Sequence, residues 1–109
     1  MKLWEITIFE SPIVNVSVGK FRLEIMSHVR DRLRDRKLKT WHLARIMDSL
    51  PALTEKIDSI ETGSSFFVVD KRLNISLGIT KKTDQILQAR TIVDSGTPYA
   101  KNVDTFLYI

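Results

Sequence analysis

Residues 21–36 read Phe21-Arg22-Leu23-Glu24-Ile25-Met26-Ser27-His28-Val29-Arg30-Asp31-Arg32-Leu33-Arg34-Asp35-Arg36, and the order of apolar and basic side chains in this stretch decides the fold. Phe21, Ile25, Val29 and Leu33 fall four apart, with Met26 beside them. An α-helix turns once every 3.6 residues, so this spacing predicts an amphipathic helix over residues 20–36 that buries one stripe. His28, Arg32 and Arg36 recur at the same interval and stack along a second face of that helix. His28 follows Ile25 by three positions, about 60° around from the buried stripe, at the rim of the core.

Upstream, Leu3 to Phe9 alternates Trp4, Ile6 and Ile8 with polar residues such as Glu5 and Thr7, as a half-buried strand does. Ser11-Pro12 interrupts it, and Val14, Val16 and Val18 alternate again before Gly19, giving either a hairpin or a strand with an extended arm. Downstream, Thr40 is an N-cap for a second helix whose apolar residues Trp41, Leu43, Ala44, Ile46, Met47 and Leu50 form one broad face ending at Pro51. Leu53, Ile57 and Ile60 extend a weaker helical pattern to the loop Thr62-Gly63-Ser64-Ser65.

The second half changes period. Phe66-Phe67-Val68-Val69 and Leu73 to Ile79 are rich in strand formers and separated by Asp70-Lys71-Arg72, which predicts a hairpin. Gln85 to Val93 alternates Ile86, Gln88, Arg90 and Ile92 against Leu87, Ala89, Thr91 and Val93, a third antiparallel strand, and Thr105 to Ile109 adds a short last one. The fold class expected is therefore α+β: N-terminal strand or strands, and two to three helices packed on one face of an antiparallel sheet of three to five strands. At 109 residues, one domain over 1–109 with one core is expected.

The net charge is +4 and the pI about 9.6. Residues 20–45 hold nine basic side chains against Glu24, Asp31 and Asp35, a local charge of +6 that leaves −2 for the rest. A concentrated positive field favours polyanionic partners. With no cysteine and only two histidines, His28 and His42, fourteen apart, no metal site and no cofactor are expected. No apolar run approaches the ~18 residues that span a membrane, and Met1-Lys2-Leu3-Trp4-Glu5 is no signal peptide, so a cytoplasmic chain with no membrane partner is expected.

One imidazole and two guanidiniums in a row suit cleavage of RNA by its own 2′-hydroxyl. That reaction needs a proton carrier and positive charge on the developing dianionic phosphate. His is the natural carrier near neutral pH, while Arg keeps its proton and forks onto phosphate oxygens. The competing reading is a solvated face, with Asp31 pairing to Arg34 and Asp35 to Arg32 or Lys39 for a few tenths of a kcal/mol each.

The segment His28-x3-Arg32-Leu33-x2-Arg36-Lys37-Leu38, followed by a helix, a strand meander and a late Gln88-Ala89-Arg90-Thr91-Ile92-Val93, resembles the His-x3-Arg-(Leu/Met)-x2-Arg-Gly-(Ile/Leu) pattern of small RelE/BrnT-like domains. These belong to the barnase/EndoU/colicin/RelE group of metal-independent ribonucleases. The resemblance covers roughly residues 20–93 and departs at Lys37, where the pattern has Gly. It implies an endoribonuclease, a toxin or phage effector, with His28 moving the proton, Arg32 and Arg36 on the phosphate, and Thr91 orienting it from the last long strand. Arg34, Lys37 and Lys39 would hold the neighbouring backbone, Tyr99 would stack on a base, and an acidic antitoxin or host protein would cover the basic face. The alternative is a non-enzymatic basic module that binds a host protein or nucleic acid; a helix-turn-helix contact with duplex DNA is a third reading. Arg90 and Thr91 stand on opposite strand faces and share a cleft only if a bulge intervenes.

Overall fold

The computed structural model describes residues 12–35, 38 and 40–109. The alternating strand expected over residues 3–9, and the side chains of Arg36, Lys37 and Lys39, lie outside the described residues.

Strand β1 (Pro12–Val18) pairs antiparallel with β2 (Phe21–Met26), closing a hairpin through Gly19 and Lys20. Gly19 takes φ +57, the left-handed value that a tight hairpin loop accepts from glycine without strain. The helix expected over 20–36 is therefore shorter: residues 21–26 are strand, and helix α1 is Ser27–Asp35. Phe21 and Ile25 fit both a period of four and a period of two, and Leu23 breaks the tie, because Phe21, Leu23 and Ile25 are all buried against the same core. Val29 and Leu33 do form the buried stripe of α1. The amide of Leu38 donates to the carbonyl of Leu33 at 2.8 Å, and Leu38 packs back on the core, closing the helix.

Helix α2 (Thr40–Ser49) runs into a single 3-10 turn at Leu50–Leu53, where Pro51 sits near the first position, and the short helix α3 (Thr54–Asp58) follows. Then come β3 (Ser65–Asp70), β4 (Ile75–Lys81), β5 (Ile86–Val93) and β6 (Phe106–Tyr108). The hairpin expected around Asp70-Lys71-Arg72 is present, with Asn74 at φ 59 finishing its turn.

The sheet order is β1-β2-β5-β4-β3-β6. It has six strands among the described residues rather than three to five, and it is mixed rather than antiparallel: β2 runs parallel to β5, and β6 parallel to β3. The helices between β2 and β3 carry the chain over the sheet to β3, and the antiparallel β3–β4–β5 meander then runs back towards β2, so β5 lies beside β2 in the same direction. The helices lie on one sheet face. Phe21, Leu23, Ile25, Phe66, Val68, Leu77, Ile79, Leu87, Ala89 and Ile92 meet Val29, Leu33, Ile46, Leu50 and Ile57 there in one cluster. At about 25 cal/mol per Å² of apolar area this layer supplies most of the driving force for folding. Among the described residues no helix is long and apolar enough to cross a membrane.

Two charged side chains terminate the apolar rows on the helix face. Lys81, at the end of β4 and 3% exposed, donates from Nζ to the carbonyls of Ile57 (3.2 Å), Asp58 (3.0 Å) and Ile60 (2.8 Å), using three donors on the end of α3. Asp70, at the end of β3, accepts from Arg45 Nε on α2 at 2.8 Å and from the amides of Arg72 and Leu73. Burial pushes the Asp70 carboxyl up, but the Arg45 hydrogen bond and the two turn amides outweigh it and hold the group below the usual carboxylate value.

Candidate nucleic-acid interface

Helix α1 leaves β2 directly and lies across β2 and β5, so everything but its Val29–Leu33 stripe faces outward. His28 and Arg32 are exposed on consecutive turns of one flank. Arg30 and Arg34 rise on the other flank, where Asp31 lies 3.7 Å from Arg30 Nε and 3.4 Å from Arg34 Nη2. These exposed pairs are the solvated-face arrangement expected for Asp31 and Arg34, worth about 0.3–0.5 kcal/mol at most. No ion pair joins Arg32 to a described residue, whereas Arg30 and Arg34 share Asp31. Arg36, Lys37 and Lys39 lie outside the described residues.

Thr91 does not join this flank. In β5 the register shifts between Gly78 and Ile79 of β4: Gly78 pairs with Thr91 and Ile79 with Ala89, leaving Arg90 as the extra residue of a β-bulge. Strict alternation would have put Thr91 on the face of Leu87 and Ala89, under the helices. The bulge turns it away, and Ile92 takes the core position instead. His28 and Arg32 thus stand on the helical layer, and Thr91 on the opposite sheet face.

The same bulge meets the condition for Arg90 and Thr91 to share a cleft. Both line a slot of about 230 Å³ on the sheet face away from the helices, together with Ser65, Phe67, Ala100 and Val103. Arg90 Nη1 donates to Gln88 Oε1 at 2.8 Å, and Gln88 Nε2 donates to Glu24 Oε1 at 2.8 Å, a polar row running from β5 to β2. The slot floor is tight, because Gly78 lies beneath the Thr91 methyl and the Phe67 ring; a Cβ there would meet them at 2.7 and 3.3 Å. Tyr99 is 88% exposed on the loop that contributes Ala100 and Val103, and so is separated from the basic helix.

Sequence reasoning missed one aromatic. Trp41, expected in the core, is 54% exposed and stacks on His42 with ring centroids 3.9 Å apart. A helical projection finds it: Trp41 lies nine residues, about 180°, from Leu50, whereas Ile46 and Leu50 define the buried side. Beside it runs an open groove lined by Trp41, Ala44, Arg45, Asp48 and Ser49.

Compared with known proteins, the chain matches no family model, no curated protein and no solved structure.

Proposed function

We propose that this chain is an RNA-binding domain whose contact surface is the His28–Arg32 flank of α1. One observation carries the reading: Arg32 is exposed one turn from exposed His28, without an ion pair to any described residue, inside a segment of charge +6. A guanidinium so placed forks onto phosphate oxygens, and its gain comes from counterions released by the RNA. The motif resemblance supports RNA over DNA. An acidic protein partner would be drawn to the same surface.

The test is anisotropy of a labelled single-stranded RNA between 50 and 200 mM salt. Affinity is expected to fall linearly on a log–log plot, and Arg32→Gln to flatten the slope by about 0.7, one phosphate contact on a single strand. Salt-insensitive binding, or an unchanged slope in the variant, refutes the reading.

A second reading adds catalysis on that flank, favoured by the pairing of an imidazole with a guanidinium on successive turns. His28 would take the proton of the attacking 2′-hydroxyl or return one to the leaving 5′-oxygen, with Arg32 and Arg36 on the phosphate and no part for Thr91. His28→Ala is expected to abolish cleavage while leaving RNA affinity nearly unchanged; cleavage that survives the substitution overturns it.

A further inference from the structure

We propose that the RNA is held as a single strand and that one of its unpaired bases stacks on Trp41. The inference rests on the RNA-binding reading and extends its surface from α1 to the outer face of α2.

An indole is the largest apolar side chain available, and burial against the core is its ordinary fate. Here α2 turns Ile46 inward and leaves Trp41 on the opposite side, more than half exposed. One ring face is taken by His42 at 3.9 Å and 25° between planes, which fixes the indole's orientation and leaves its exposure on the remaining surface. A platform held in place before binding loses little entropy when a ligand stacks on it. Stacking on an aromatic side chain is how unpaired bases are held without regard to sequence, since every base has a π-face.

Charge selects the occupant. Trp41 stands six residues after Asp35 at the end of α1, within the sequence segment 20–45 whose charge is +6. Four residues along α2, Arg45 lines the same groove, and its Nε is anchored on Asp70 at 2.8 Å while its side chain is 42% exposed. A guanidinium fixed through Nε presents its terminal N–H groups in a set direction, suited to a phosphate next to the stacked base. Ala44 between them is small and exposed, which leaves the groove open beside the ring. Asp48 repels phosphate at the far end, so the strand's backbone runs on the Arg45 side of the groove. A duplex, whose bases are already stacked, offers nothing to the indole.

The experiment uses the full chain with Trp4→Phe, so that Trp41 is the single tryptophan reporter. Its emission is followed on titration with a single-stranded RNA 12-mer and with the same sequence as a duplex, and affinities are measured for Trp41→Ala, Trp41→Phe and Arg32→Gln. Folding of each variant is checked by urea unfolding. The expected result is quenching by the single strand and not by the duplex, with affinity lower by roughly tenfold in Trp41→Ala and mostly retained in Trp41→Phe. If Trp41→Ala binds like the parent while Arg32→Gln binds more weakly, the platform is wrong and the basic-flank reading stands. If no variant or parent binds RNA, both fail. If Trp41→Ala instead converts a dimer to a monomer in sedimentation with RNA affinity unchanged, Trp41 is a contact between copies and the proposal is overturned.

Discussion

Replacing Lys81 by Met is expected to destabilise the fold by about 2–3 kcal/mol, and the figure follows from its three carbonyl partners. Hydrogen bonds to a charged donor are worth about 1.5 kcal/mol or more each, so three set a gross loss of ~4.5 kcal/mol. Two corrections reduce it. The Ile57 carbonyl keeps a bond from the Ile60 amide at 3.0 Å, and the Asp58 and Ile60 residues are exposed enough for water to replace part of the loss. Removing the ammonium also relieves the desolvation that a 3%-exposed charge suffers, while Met preserves the aliphatic stem against the Phe21 ring. Urea unfolding should show a lower midpoint with an unchanged slope, and thermal unfolding a Tm lower by ~10–20 °C for a chain of this size. A loss smaller than about 0.5 kcal/mol would mean that the desolvation cost cancels the three bonds and that α3 is held by Ile57 packing alone.

Acid should act through Asp70. Its folded-state pKa is depressed, so its contribution is complete above the unfolded value of about 3.9 and is lost as pH falls through the folded value. Asp70→Asn is expected to cost about 1–3 kcal/mol at pH 7 and to flatten the decline of stability below about pH 4; an acid limb in urea titrations that matches the parent's would refute the assignment. Gly78→Ala is expected to cost about 1–3 kcal/mol by overpacking, since the new Cβ meets the Thr91 methyl at 2.7 Å. In a Thr91→Ser background, which removes that methyl, most of the cost should vanish, and additive effects in the double-mutant cycle would show that the clash lies elsewhere.

Much of the architecture was legible because period and composition agreed. The β3–β4 hairpin was marked by two runs of strand formers around a polar turn, and Val29 and Leu33 identified the stripe of α1. The start of that helix was not legible from spacing by fours, since residues i and i+4 share a side in both a strand and a helix; Leu23 carried the deciding information. The bulge at Arg90 has no glycine in β5 itself, and its sequence signal was Gly78 inside the facing strand β4; one inserted residue was enough to move Thr91 from the helix side to the far side. The site expected from four residues consequently divides, with His28 and Arg32 on one layer and Thr91 across the sheet. Trp41 was hidden for a different reason: counting apolar residues in α2 without projecting them counts an outward tryptophan as core.

The buried charges connect the fold to the surface proposed for RNA. Lys81 and Asp70 stand at opposite ends of the β3–β4 ladder, on the side where the helices pack, and each is bound to a different helix. Apolar packing is tolerant of rotation about a helix axis, because Leu, Ile and Met fill space in several arrangements. A guanidinium bonded at 2.8 Å to a buried carboxylate is not, since turning α2 outward would leave the Asp70 charge in the interior with only the Arg72 and Leu73 amides and no countercharge. Arg45 therefore sets the rotation of α2, and that rotation puts Trp41, one turn away, on the outer face. The stability device and the proposed platform share one residue, so weakening Asp70 should disorder the groove as well as the fold.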